Sequence, residues 1–252
     1  WLSGFWIDDY VDLNKQQSQT VKLLIKDTRD WHRTSQLPLY KADLIYLQNI
    51  LSDSPSEQAL IEHFNNSREH WQTLVNKIAQ PLIDVAKSLD ENQKMQFIAK
   101  IRDDINEELE EYEKQTDAER SEERLEKQTD TYKEWLGKLS QQQLTLIAKA
   151  NDSYEPRFVQ WQKYKNTRLD ALVAVFDNPA INEAEFSQNM LHIITEREAF
   201  MSQELIAATE KNQALYAKLL VELRHTLSPK QIKHAKDKFK DMIEEIDDLI
   251  VD

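Results

Sequence analysis

An all-α fold is predicted for this chain by three observations. Its 252 residues include only 2 glycines and 6 prolines, far too few turn residues for a sheet protein. The prolines, at 38, 55, 81, 156, 179 and 229, mostly fall where apolar periodicity breaks, so they punctuate helices. A five-residue box then occurs four times: Leu13-Asn14-Lys15-Gln16-Gln17, Leu89-Asp90-Glu91-Asn92-Gln93, Leu139-Ser140-Gln141-Gln142-Gln143 and Leu227-Ser228-Pro229-Lys230-Gln231. Leucine is followed by Asn, Asp or Ser, and glutamine comes three residues after that. This is a helix capping box: the short polar side chain accepts from the N3 amide, and the N3 glutamine accepts from the N-cap amide. Pro229 sits at N1, where its missing donor costs nothing. Leu139 and Leu227 find staple partners at N4 in Leu144 and Ile232, whereas Ser18 and Lys94 stand there in the first two boxes.

The expected architecture is an elongated or curved multi-helix bundle, built as two tandem four-helix units joined by a charged helical hairpin. Residues 1–12 form an N-terminal aromatic arm with Trp1, Leu2, Phe5 and Trp6. Its aromatics either dock on the helical core or meet a membrane or partner, since aromatics favour interfaces. The first unit spans 13–112. Its first helix carries Val21, Leu24, Ile25, Thr28 and Trp31 at helical spacing and ends near Thr34. A second runs from Pro38 to Ser52. Ser54-Pro55-Ser56-Glu57 reads as another box, with Glu57 at N3. The helix it opens carries Leu60 to Ile78, and Pro81 should kink or split it. The second box opens a helix reaching Tyr112.

From Glu113 to Arg124 apolar residues almost vanish, and Glu-Lys-Gln-Thr-Asp occurs at 113–117 and again at 126–130. This connector, 113–134, is either disordered or an exposed helical hairpin supported by charge pairs three and four apart. The second unit, 135–252, begins where Gly137 stands as the residue that ends a helix. Its punctuation repeats that of the first. The third box opens a helix, Pro156 starts the next, Asp177-Asn178-Pro179 ends it, and one long stretch from Phe186 to Leu223 leads to the fourth box. Leu13 and Leu89 lie 76 residues apart, and Leu139 and Leu227 lie 88 apart. Either the chain is a tandem duplication, or it shows only the caps and prolines any helical protein needs.

A formal charge of −13 argues against nucleic-acid binding, which rests on neutralising phosphates. No apolar run approaches the ~18 residues of a membrane span. The absence of cysteine excludes thiol chemistry and Cys-based zinc sites. Gly4 and Gly137 lie in no phosphate-loop or nucleophile-elbow context. Only Glu222-x-x-His225 has the spacing of a di-metal helix pair, where two such pairs and two further carboxylates are needed. His63 and His70, seven apart on one helix face, read as surface or partly buried side chains. No cofactor, metal or enzyme activity is therefore expected. The last helix begins with Lys230, Lys233, Lys236, Lys238 and Lys240 and ends in acids, against the macrodipole. Either neighbouring helices neutralise it or it is a polarised partner-binding surface. The chain begins at Trp1 rather than Met, which suggests that an N-terminal segment was removed.

Two resemblances rest on these residues. Trp6-Ile7-Asp8-Asp9-Tyr10-Val11-Asp12-Leu13 with Gln17, then Trp31-His32-Arg33 and Leu37-Pro38-Leu39-Tyr40, resemble an uncharacterised family of proteobacterial predicted lipoproteins. Trp135-Leu136-Gly137-Lys138-Leu139 with Gln143 and the last box fit its later segments. The resemblance implies export and a periplasmic or outer-membrane address, through a lipidated cysteine upstream of Trp1. The boxes are also similar to the Leu-Thr-x-x-Gln motif of the periplasmic stress chaperones Spy and CpxP, although no copy here has threonine. Those chaperones carry two motifs per subunit and dimerise into a cradle, so four in one chain imply a pseudo-dimer. The expected function is non-enzymatic polypeptide binding, with ATP-independent holdase chaperoning its most concrete form. The alternatives are an envelope scaffold or adaptor with one protein partner, and a lipid or small-molecule carrier. Candidate partner-binding residues are Trp31, Tyr40, Trp71, Trp161, Lys230, Lys233 and Lys236; the box residues are expected to be structural.

Overall fold

Every regular element in the computed structural model, which describes residues 9–52 and 55–251, is helical. Local capping chemistry sets most of the helix starts. The first box opens α1 (Lys15–Trp31), the second α4 (Glu91–Glu113), the third α6 (Gln141–Ser153) and the fourth α10 (Pro229–Val251). In each, the short side chain accepts from the glutamine N–H, at 3.0 Å for Asn14, 2.9 Å for Asp90 and 3.3 Å for Ser140 and Ser228. A further box, Thr116 with Glu119, opens α5 (Asp117–Leu136), so the charged connector is an ordered helix. Gly137 ends it at φ +73°, a conformation that side chains with a Cβ resist.

Four boundaries depart from the sequence reading, each for a tertiary or steric reason. The chain does not leave the helix near Thr34. A π-helical turn, His32–Gln36, joins α1 to α2 (Leu37–Ser52) and lets Pro38 follow without a clash in a regular α-turn. The next helix, α3 (Glu57–Lys87), is capped by Ser56, whose Oγ accepts from Ala59 N–H at 3.1 Å; Ser54 lies outside the described residues. Pro81 does not split α3. An internal proline costs about 3 kcal/mol, and Ala79 and Ile83 on either side are buried deeply enough to offset that. Finally, the stretch after α7 (Phe158–Phe176) is not one helix. It divides into α8 (Glu183–Thr195), a 3₁₀ turn (Arg197–Phe200) and α9 (Gln203–Thr226). Ser202 Oγ accepts from Leu205 N–H, and Arg197 lies over the Trp161 ring at 4.9 Å.

The helices assort into two compact units, and these are not consecutive halves. Unit 1 combines residues 1–32, 71–113 and 157–205; unit 2 combines 33–70, 114–156 and 206–252. The expected division, 13–112 against 135–252, thus differs from the packing. In unit 1, α4 packs on α7 and α7 on α8. The core there joins Val11, Ile83, Leu89, Ile98 and Ile105 to Leu172, Phe176, Phe186 and Met190. Of the N-terminal arm, Val11 is buried and the Tyr10 hydroxyl donates to Asp104 at 2.5 Å; Trp1, Leu2, Phe5 and Trp6 lie outside the described residues. In unit 2, α10 packs on α2 and α5, and α5 on α6. Leu136, Leu139, Ile147, Leu219 and Leu223 form its core. Buried Asn212 satisfies both backbone groups of Glu155, and Arg124 donates to Asn151 at 2.6 Å.

Candidate functional site

Each unit is organised by two boxes that meet face to face through their glutamines. In unit 1, Gln17 Nε2 donates to Gln93 Oε1 at 2.9 Å and Gln93 Nε2 returns a bond to Gln17 Oε1 at 2.8 Å. The second proton of each amide goes to the carbonyl just before the partner's leucine: Gln17 to Ser88 O at 2.6 Å, Gln93 to Asp12 O at 2.7 Å. Each Oε1 also accepts its own N-cap N–H, at 2.9 Å from Asn14 and 3.0 Å from Asp90. Unit 2 repeats the scheme. Gln143 and Gln231 exchange bonds of 3.2 and 3.0 Å and reach Thr226 O and Lys138 O at 3.3 and 3.1 Å. All four glutamines are 9% exposed or less. Two donors and two acceptor sites per amide are thereby used, which is what a buried amide requires. This pairing was missed in the sequence, where the boxes read only as separate helix starts.

Beside each clasp lies an apolar cavity. That of unit 1 has a volume of about 490 Å³ and runs between α4 and α7, with Leu89, Phe97, Leu172 and Met190 in its wall. At one end stand Tyr10, Asp104, Glu108, Lys165 and Arg168. Hydrogen bonding to Asp104, with burial adding to it, pushes the Tyr10 hydroxyl up to about 12, and Lys100 and Tyr10 hold Asp104 below the ordinary carboxylate range. The cavity of unit 2, about 290 Å³, is walled by Leu47 and Leu51 of α2, Trp135 of α5, Leu220 of α9 and Phe239 of α10. Its polar groups are different. Burial raises the phenols of Tyr132, Tyr154 and Tyr216, and the buried Oε1 of Gln128 has no hydrogen-bond partner. Arg224 also lines it, but its guanidinium is held by Leu51 O and Ser52 O, both at 2.6 Å.

The residues singled out for partner binding are divided between the two units. In unit 1, Trp31 is half-buried with Lys77 over its ring at 5.7 Å, Trp71 is 55% exposed, and Trp161 packs edge-on to Tyr164. In unit 2, Tyr40 meets the His70 ring at 4.9 Å, and His70 contacts Asp43 at 2.6 Å. Lys230, Lys233 and Lys236 are exposed on α10; Lys236 lines the cavity and Lys233 pairs with Asp237 at 2.7 Å. The reversed charge of α10 has partners on other helices. Lys41 of α2 binds Asp247 at 2.6 Å, and Lys238 binds Glu134 of α5 at 3.1 Å. His63 is buried, which lowers its pKa. No cluster of three or more His, Asp or Glu suited to a metal ion occurs among the described residues, and no helix among them is long and apolar enough to cross a membrane.

The chain belongs to a family of unknown function (DUF6279), whose pattern matches residues 9–205. No curated protein and no solved structure matches it.

Proposed function

We propose that this chain is a non-enzymatic polypeptide-binding protein of the holdase type, working without ATP. The observation that carries the reading is α2. Its sequence, Leu37-Pro38-Leu39-Tyr40-Lys41-Ala42-Asp43-Leu44-Ile45-Tyr46-Leu47-Gln48-Asn49-Ile50-Leu51-Ser52, is apolar on most sides, with Lys41, Gln48 and Ser52 on one face, yet only Leu37 is buried. A helix of that kind ordinarily sits inside a core. Here Leu39, Ile45 and Tyr46 are exposed, and α10, packed against it, leaves Met242 and Leu249 exposed as well. Leu39 and Tyr46 are seven residues apart, as are Met242 and Leu249, so each pair shares a helix face. Apolar side chains exposed together on two packed helices offer an interaction site, and the charged positions between them keep it wetted.

The address proposed with it is the periplasm, with attachment to the outer membrane through a lipidated cysteine upstream of Trp1. Support for the address comes from the resemblance of the segments around Trp31-His32-Arg33 and Trp135-Leu136-Gly137 to predicted lipoproteins. The box's likeness to the Spy and CpxP motif supports chaperoning.

The test is suppression of aggregation. Near-stoichiometric protein should reduce light scattering by an unrelated denatured client, and Ile45→Lys with Tyr46→Lys should remove most of that effect while leaving helix content unchanged. If scattering is not reduced at all, and one defined protein is recovered by pull-down, the chain is an adaptor instead.

A further inference from the structure

We propose that the cavity of unit 1 is a binding site for a single-chain amphiphile with an anionic headgroup, held by Arg168. The inference goes beyond polypeptide binding and does not depend on it.

The cavity has a head and a tail. α4 and α7 run antiparallel: Lys94 lies over Phe176 at 5.9 Å, Glu108 meets Lys165, and Tyr112 stacks on Phe158 at 3.8 Å. Positions 104 and 108 of one helix therefore gather with 164 and 168 of the other at the polar end. Phe97 and Ile101 gather with Leu172 and Phe176 at the apolar end.

Charge at the polar end does not balance. Asp104 is matched by Lys100 at 2.5 Å, and Glu108 by Lys165. Arg168 remains. Its guanidinium donates to Tyr164 Oη at 3.1 Å and Ile193 O at 2.7 Å, both neutral, and it forms no ion pair among the described residues. Its Nε is buried with no partner. A guanidinium left without a counter-charge beside apolar walls is costly unless an anion completes it, and the fork of donors matches a carboxylate or phosphate.

Size agrees with the charge. At about 490 Å³ the space is roughly three times the ~150 Å³ cavity that takes one benzene ring, and it falls within the range of ligand pockets. A hydrocarbon chain fills the tail end, lined by Phe97, Ile101, Leu172 and Phe176. A cationic head would meet Arg168 and Lys165, and a neutral head would leave Arg168 without a counter-charge.

The experiment uses the full chain and four ligands kept below their micelle concentrations: dodecanoate, dodecyl phosphate, dodecanol and dodecyltrimethylammonium. Titration is followed by calorimetry and tryptophan fluorescence. Dodecanoate, dodecyl phosphate or both should bind saturably at one site, about 10- to 100-fold more tightly than dodecanol, the worth of one charge-assisted hydrogen bond. The better of the two anions distinguishes a carboxylate source from a phosphate source. Arg168→Met should equalise the anion and dodecanol, and Arg168→Lys should keep a preference. Ala86→Phe, which fills the cavity, should abolish binding of both. Circular dichroism checks that the variants fold, and Arg168→Gln replaces Arg168→Met if the latter does not. Absence of saturable anion binding, equal affinity for dodecanol, or a preference that survives in a folded neutral variant each overturns the proposal. Aggregation suppression should be unchanged in Arg168→Met, so the two functional readings fail separately.

Discussion

The two units share one clasp and differ in what they build beside it. Gln17 with Gln93 and Gln143 with Gln231 make the same reciprocal bonds and reach the same carbonyls, across 76 residues in one unit and 88 in the other. The cavities next to them have little in common beyond apolar walls. Unit 1 ends its cavity in Arg168 and paired carboxylates; unit 2 sets the phenols of Tyr132, Tyr154 and Tyr216 and the orphan oxygen of Gln128 into its own. A buried amide pair with every donor and acceptor used tolerates little change, because losing one member strands the other. Cavity walls tolerate more. The comparison therefore separates a structural device that occurs twice from two sites free to specialise.

Charging the clasp gives the largest expected effect. Gln143→Glu puts a carboxylate where no surface is exposed and removes both amide donors. It should lower stability in urea unfolding by about 3–5 kcal/mol, the cost of an uncompensated buried charge. The new carboxyl would have a folded pKa above its unfolded value, so the deficit should shrink as pH falls. Gln17→Glu should behave alike; a gap of more than about 2 kcal/mol between the two, well beyond ordinary context effects, would break the equivalence of the clasps.

Removing one cap is milder. Ser228→Ala and Asn14→Ala should each cost about 0.5–2 kcal/mol, measured by thermal or urea unfolding, before either affects binding. A loss of client or ligand binding at unchanged stability would instead place the box in a binding surface.

The smallest effect expected is the pH dependence that His63 gives unit 2. His63 is packed between Tyr46 and Phe64, with Asp43 and His70 the charged groups felt there. Burial lowers its pKa, so the native state binds fewer protons than the unfolded chain just below the ordinary histidine value of about 6.5. Stability is then intact above that value and declines as pH falls towards the folded pKa, where the loss levels off. His63→Phe should flatten this slope in unfolding midpoints between about pH 7 and pH 5; an unchanged slope would assign it to other groups.

The helix starts were legible because capping is local: a side chain and an amide three residues away settle it wherever the rest of the chain goes. The same holds for Gly137, whose positive φ ends α5. Other boundaries escaped. Phe186 to Leu223 keeps helical spacing without a glycine or proline, and only contacts such as Arg197 over Trp161 mark the break at 196–202. Of the two outcomes expected at Pro81, a split did not occur, since propensity speaks for an isolated helix while buried Ile83 speaks for the fold. As for the candidate sites, the box glutamines were identified as structural, but Arg168, Gln128 and the three unit 2 tyrosines carried no signal. Single residues among many of their kind become a site only when distant helices bring them together.

What the sequence by itself determined is the all-α class and the four helix starts set by its capping boxes, because those rest on composition and on interactions within a few residues. Which box faces which, how three separate segments make each unit, and which charge is left without a partner were decided by tertiary structure. Those outcomes depend on proximity between residues 50 to 100 positions apart, as between Glu108 and Gln162 or Gln143 and Gln231, and no local pattern encodes that distance.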